Sequence, residues 1–478
     1  MKKILLVALV LFVSVSFFAG ALINQLNENL AEIQKNIEEL NLSWEAGISD
    51  VFYRYEANGV DDLEFLLDKW NGSIDLPFND AKEVWMRENG EIDQATTRDS
   101  QLISSEMMYL YTGVMLPETF IQIHTSPKDQ AIHGACWAFG TTAAFESGLL
   151  VFDGLFGGTE PDPTLYEDNS YDLSEQFAAY HNIDWNVYLE SFYSGYVNGL
   201  VDDMIIQDSN YDAGGNQYFA AYNNIRYGLP LESDFPYLEW DYNDYLRWNP
   251  TNNDWNDNLH FSNKTLLMPP PVVPYGLFIG SIKETIYLYG ALAVSYSVPN
   301  DFSYYTGGIY VPTTLGGGGH CTNLVGWLSL DAVKDLGWVS PEVESFEVYD
   351  PYTEQTWYAN EFWVIKNSWG TDWGWNGYYV VPVISEEAYN NGWLSAWMIE
   401  NRDMRLPYVE NMNVVGQNID FNDDGFVDEL DYDLLIDALY IDTFVYPAYD
   451  KFDISDPKDF YISVEDVTRF LMIYNAMN

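Results

Sequence analysis

The sequence predicts an α+β protein built around a single nucleophile, and three stretches carry that prediction. From Cys136 through Phe145, Leu149 and Phe152, apolar residues recur at helical spacing, and the run stops near Gly154. The apolar stretch from Cys321 to Trp327, opened by His320 after the flexible run Gly316-Gly317-Gly318-Gly319, reads as a strand launched from a loop. Phe362-Trp-Val-Ile-Lys366 gives a second buried-strand pattern that ends on Asn367.

The elements follow in chain order. Met1-Lys2-Lys3, an apolar run from Ile4 to Phe18 and the small residues Ala19-Gly20-Ala21 have the order of a secretory signal peptide, with cleavage expected after Ala21. The run is short for a spanning helix, and an uncleaved anchor is the alternative. No later stretch is apolar enough to cross a bilayer, so no membrane span is expected in the mature form. Ile23, Leu26, Leu30, Ile33, Ile37 and Leu40, three and four apart, predict an amphipathic helix, with a short coiled-coil stalk as its rival.

The chemistry starts at Gln130-Ala-Ile-His-Gly-Ala-Cys136-Trp-Ala-Phe. A thiol that attacks an amide carbonyl needs a base to ionise it and donors to hold the oxyanion that forms. Of the five histidines, His320 is the outstanding base candidate by its place at the head of a strand. Asn367 could accept the imidazole N–H and fix the ring, and Gln130 puts a side-chain amide six residues upstream of the thiol. At the start of a helix the positive end of the dipole favours thiolate, and an imidazolium partner adds to it, which brings such thiols down to about 3.5–7.5. The bland readings are a buried thiol at Cys136, a satisfied strand histidine at His320, a turn residue at Asn367 and a surface amide at Gln130.

In this order the residues resemble those of the papain and cathepsin family of cysteine proteases. The resemblance covers roughly residues 116–400, through Leu173-Ser-Glu-Gln176, Gly228, Glu232, Pro236, Tyr237, Gly290-Ala-Leu-Ala-Val and Phe302 to Tyr310. It implies a two-subdomain fold, with a helical part bearing Cys136, a β-barrel-like part bearing His320 and Asn367, and a cleft between them. It further implies Cys136 as nucleophile, His320 as base and acid, Asn367 as orienter, and Gln130 with the Cys136 N–H as oxyanion donors. Trp369 resembles the indole that shields the His and Asn pair, and Gly214-Gly215 resemble the glycines whose backbone binds an extended substrate; a plain tight turn is the rival there. Asn41-Leu-Ser-Trp44-Glu-Ala-Gly47 resembles a propeptide segment, so residues 22–115 are expected to be a pro-region whose extended part blocks the cleft. Where the family usually has a second Cys three residues before the nucleophile, this chain has His133. His320 and Asn367 also lie farther downstream than the family's roughly 130–150 residues, which places insertions at 178–210 and 328–360, either over the cleft or as decoration.

The far end carries a different signal. Asp420, Asn422, Asp424, Phe426 through its carbonyl, Asp428 and Asp431 occupy the oxygen positions of a calcium loop with Gly425 at its turn. Leu430, Leu434, Leu435, Ala438 and Leu439 then share one helix face. Loop plus helix without an entering helix resembles a dockerin repeat, which implies a small helical module over 412–478 and a cohesin-like protein partner. The second loop, Asp453, Ser455, Asp459 and Asp466, is degenerate because Phe460 replaces the turn glycine. A solvated acidic loop is the bland reading of both.

The 478 residues divide as signal peptide 1–21, propeptide 22–115, peptidase domain 116–405 and calcium module 412–478. A net charge of −53, from 73 acids against 20 bases, excludes nucleic acid and anionic membranes as natural surface partners. Two cysteines in an exported chain argue against a disulfide framework. The reading is thus a secreted peptidase, free or associated with the cell surface, acting on protein or peptide substrates, with structural calcium in its tail and no cofactor for catalysis. The alternative is a catalytically idle scaffold that acts through the tail, and acyl transfer to an amine would use the same residues as hydrolysis.

Overall fold

The computed structural model describes residues 20–73, 106–108, 114–181, 214–240, 249–252, 255, 258–262, 264–269, 271, 273–401 and 404–408, with 434, 435 and 438. The chain divides into two compact units, Met1–Val409 and Glu410–Asn478. In the second, the Ala438 N–H donates to the Leu434 carbonyl at 3.2 Å, one helical turn with Leu435 and Ala438 buried. Both calcium loops, residues 1–19 of the leader and residues 182–210 of the insertion at 178–210 lie outside the described residues.

The first unit opens with α1 (Ala21–Glu39), the amphipathic helix the spacing calls for. Its buried positions are Leu22, Leu26 and Ile33, so Leu22 takes the place expected of Ile23. Leu40 is 39% exposed because the helix ends one residue earlier and Leu40 is its cap. The chain then gives β1 (Glu45–Ala46), α2 (Asp50–Ala57) and α3 (Leu63–Trp70). Asp62 caps α3 by accepting from the backbone N–H groups of Glu64 and Phe65, which leaves the helix pointed at the next segment, Asn71–Ser73.

The chain goes on with β2 (Glu106–Met108), β3 (Phe120–Ile121), α4 (Cys136–Phe152), α5 (Glu175–Tyr180), α6 (Gln217–Tyr227), β4 (Lys264–Leu267) and α7 (Tyr275–Tyr289). It continues with β5 (Leu292–Ser297), β6 (Tyr305–Gly307), β7 (Gly319–Ser329), α8 (Leu330–Asp335), β8 (Phe346–Asp350), β9 (Gln355–Ala359), β10 (Glu361–Lys366), β11 (Tyr378–Pro382), α9 (Glu386–Asn390) and β12 (Met404–Tyr408). Every residue of α4 from Cys136 to Val151 is buried, as befits a helix that is apolar nearly all round. It ends where expected, with Gly154 in the left-handed region at φ 83°. Gly140 lets α4 press onto β7, since a Cβ there would stand 2.8 Å from Cys321 Sγ and 2.9 Å from the Thr322 carbonyl.

The main sheet runs β11-β10-β7-β5-β12-β4-β2, with β3 added against β7. All its pairings are antiparallel except β2 with β4. The expected β-barrel-like subdomain is therefore, among the described strands, an open path that ends at β11 and β2. The register puts Lys366 beside Asn323 and Tyr296 beside His320, so the ends of β5, β7 and β10 meet at one place. The insertion at 328–360 is α8 plus the hairpin β8–β9, packed by Val348 and Trp357. Tyr352 at its turn donates to the Gly316 carbonyl at 2.8 Å, which ties the hairpin to the glycine run before His320.

Candidate active site

Cys136 is the first residue of α4, and its N-cap Ala135 offers no side chain to the free N–H groups of the helix start. His320 stands near the start of β7, and Asn367 follows the last residue of β10. His320 Nε2 and Asn367 Oδ1 are 2.8 Å apart, so the ring donates from Nε2 and turns its other nitrogen to the cleft. The same Asn367 oxygen accepts from the Ser368 N–H at 2.9 Å, which fixes the amide. Trp369 covers the ring, with centroids 5.0 Å apart. Backbone N–H groups of Cys321, the residue after His320, and of Trp137 lie where they favour the ionised Cys136 sulfur. The helix and the strand thus bring the Cys136 thiol and the His320 imidazole to one site from distant parts of the chain.

Gln130 is fully buried and held from several sides. Its Nε2 donates to the His133 carbonyl at 2.8 Å, its Oε1 accepts from Ser368 Oγ at 2.6 Å, and its N–H donates to the Ser368 carbonyl at 2.8 Å. The next residue, Ala131, has φ 50°, a left-handed conformation that costs a non-glycine residue about 1–2 kcal/mol. His133 Nε2 meets the Leu238 carbonyl at 3.1 Å, and its ring packs edge-on against Tyr237. Cys321 is a buried thiol outside any disulfide, against α4 on the strand face opposite His320.

The cleft is filled by the chain itself. Ser73 N–H donates to the Gly319 carbonyl at 3.0 Å, and the Gly72 carbonyl accepts from the Gly215 N–H at 2.8 Å. Gly72 passes so close to the residues before Cys136 that a Cβ on it would stand 2.3 Å from the Gly134 carbonyl. Gly215 is equally obliged to be glycine, because a Cβ there would stand 2.2 Å from the Trp137 indole. Of the glycine pair, Gly215 makes the backbone bond to an extended segment, and Gly214 at φ 79° turns the chain into it. Behind this segment Trp70 donates from Nε1 to the Ala131 carbonyl at 3.2 Å, and Arg54 pairs with Asp129 at 2.7 Å and with Asp372 at 3.2 Å. Trp44 anchors the other end by donating to the Val311 carbonyl at 2.9 Å, while β1 pairs with β6.

Burial under this cover sets the electrostatics. It pushes the Cys136 thiol up to about 12, against the pull of the Cys321, Gly72, Trp137 and Cys136 backbone groups. It pushes His320 down to about 4, against the pull of Asn367 and of the Trp70 backbone. Both groups are therefore neutral here, and the thiolate expected from the helix dipole is suppressed by the loss of water. Sequence reasoning also missed the charged layer behind Asn367. Lys128 Nζ meets Glu146 at 2.9 Å, Asp172 at 2.7 Å and Glu175 at 2.8 Å, while Lys366 Nζ donates to the Thr125 carbonyl and hydroxyl, each at 2.8 Å. Single buried charges scattered along a chain leave no spacing signal; only the fold gathers them.

The family model described as papain family cysteine protease matches residues 200–390, which hold His320 and Asn367 and begin after Cys136. Falcipain-3 of Plasmodium falciparum (isolate 3D7) is 27% identical over 272 residues, 56% of this chain and 40% of that protein. Pro-cathepsin H of Mus musculus is 23% identical over 257 residues, 53% of this chain and 55% of that protein. The chain thus spans about half the length, or less, of these curated relatives. Among solved structures, procathepsin L2 proteinase from the larval midgut of Tenebrio molitor is 18% identical, with a TM-score of 0.49, 83% of this chain and 94% of that chain covered.

Proposed function

We infer that this chain, which carries a papain-family cysteine protease domain, is a peptidase held closed by its own N-terminal segment. The observation that carries the reading is the joint placement of Cys136 at a helix start, His320 bonded to Asn367, and Gly72 laid across them. Once residues 70–73 leave, a peptide carbonyl can take the place of Gly72 beside the sulfur. His320 would accept the thiol proton, Cys136 would attack, and the oxyanion would be held by the Cys136 N–H and the Gln130 amide. His320 would then protonate the leaving amine, and water would release the acyl group from sulfur.

The neutral state of the pair in the covered cleft supports a proenzyme, because a thiol pushed up to about 12 is a poor nucleophile at neutral pH. Export by the leader 1–21 fits an enzyme that must stay silent inside the cell. No helix among the described residues is long and apolar enough to cross a membrane. In the tail, Asp420, Asn422, Asp424, Asp428, Asp431 and the Phe426 carbonyl are hard oxygen donors of the kind calcium takes, and the module they build would dock a cohesin-like protein.

The test is to treat the full chain by limited proteolysis and then apply a thiol-directed epoxide and peptide substrates. Labelling at Cys136 together with hydrolysis supports the peptidase. A chain that neither labels nor cleaves after the segment is gone would leave the idle scaffold as the better account.

A further inference from the structure

The self-inhibiting segment marks one place in the cleft where a side chain, and not only backbone, is read. Ser73 is held by its N–H on Gly319, one residue beyond the Gly72 carbonyl on the Gly215 N–H. These two wall groups bond to backbone alone and would serve any extended peptide. The Ser73 hydroxyl stands 3.4 Å from Ser295 Oγ, and Ser295 Oγ donates to Gln217 Oε1 at 2.7 Å. Because the Ser295 proton is committed to Gln217, its oxygen faces Ser73 as an acceptor, and Ser73 is the donor.

Ser295 is 6% exposed and Gln217 is 1% exposed. Ser295 interrupts β5 where Leu292, Ala293, Val294 and Tyr296 are buried, and it lies in register with Cys321, one residue from His320. Gln217 opens α6 two residues after Gly215. An apolar side chain placed there would strip water from a buried acceptor and return no hydrogen bond, which disfavours it against a side chain that can donate. We propose that Ser295 and Gln217 form a polar side-chain pocket beside Cys136 that selects peptides carrying a hydroxyl or amide side chain near the scissile bond. The proposal rests on the peptidase reading above and adds its substrate class.

The test uses the full chain activated by limited proteolysis, with a library of quenched fluorescent peptides and epoxide titration of Cys136 run in parallel. The expected result is cleavage with Ser, Thr, Asn or Gln enriched at one position and kcat/KM about tenfold or more above Leu, Val or Phe there. Ser295→Val and Gln217→Leu should each move that preference toward aliphatic residues while Cys136 still titrates in full; Ser295→Ala serves if Ser295→Val fails to fold. Efficient cleavage with an apolar preference overturns the pocket and leaves the peptidase standing, as does a hydroxyl preference that survives both substitutions. Absence of both labelling and cleavage removes the peptidase reading, and the pocket with it.

Discussion

The indole of Trp70 lies flat on that of Trp369, with ring centroids 3.9 Å apart and planes 17° from parallel. Trp369 in turn covers His320, so the last residue of α3 is stacked on the ring that shelters the imidazole. Trp70 is fully buried by Phe52, Tyr55 and Trp369. Truncating a buried indole costs about 3–5 kcal/mol, much of it here charged to the closed state alone. Trp70→Ala should therefore make the uncleaved chain partly active, with initial rates on a fluorogenic peptide at least about tenfold above the parent. After the segment is cut away, the two proteins should have equal kcat/KM, and an uncleaved variant as silent as the parent would show that the stack does not hold the cleft shut.

The same cover predicts a change in thiol chemistry on opening. With Cys136 pushed up to about 12 and His320 down to about 4, both by burial, the closed chain holds a thiol beside a neutral ring across pH 5–9. Removing residues 70–73 readmits water, which lowers the cost of charge on both groups and lets the helix start and the imidazolium favour thiolate. The alkylation rate of Cys136 by iodoacetamide should be slow before cleavage. Afterwards it should show a plateau reaching down toward about pH 4–7. Identical pH profiles before and after would mean that the segment does not govern the nucleophile.

Two substitutions separate orientation from oxyanion binding. Asn367→Ala removes the acceptor at 2.8 Å from His320 Nε2, so the ring loses its fixed tautomer; kcat should fall on the order of 10²-fold. In the proposed mechanism Gln130→Ala removes a donor to the oxyanion, so kcat should fall about 10²–10³-fold with little change in KM. Gln130 is also tied to Ser368 and His133, and a thermal melt of each variant checks that the loss is in chemistry. A kcat within about twofold of the parent for either variant would remove that residue from the mechanism.

The parts of this site that were legible from sequence are those where chemistry and local pattern coincide. Cys136 opens a run with helical spacing, and His320 and Asn367 sit where buried-strand patterns begin and end, so both residue type and position pointed the same way. Gly215 could be named as a backbone contact, yet its reason, the Trp137 indole 2.2 Å from where a Cβ would be, exists only in three dimensions. Asn71-Gly72 looks like any turn, and nothing in the local pattern says that Gly72 crosses Cys136. The helix face of α1 was placed within one residue, because the period fixes the stripe and the partner fixes its edge. Lys128, Lys366, Glu146 and Glu175 were invisible, since isolated charges in a strongly acidic chain read as solvated surface until the fold buries them.

That buried charge gives the last prediction. Burial is the first cause that raises Glu232 to about 7, with Asp172 and Glu146 pushing the same way and Lys128 and the Tyr237 N–H opposing. Its folded value lies above its unfolded one of about 4.5. The folded state therefore keeps a proton that the unfolded chain gives up, and the contribution of Glu232 is full below about 4.5 and lost as pH rises through about 7. His124 works the other way: burial lowers it to about 3, so its share of stability is present above its ordinary 6.5 and lost as pH falls. The wild-type melting curve mixes the two, and Glu232→Gln isolates the first. The melting temperature of the variant relative to the parent should climb as pH goes from 4.5 to 7 by several degrees, at about 2–4 °C per kcal/mol of linkage. A difference that stays flat over that window would mean that Glu232 is ionised in the fold at neutral pH, neutralised by Lys128 at no net cost.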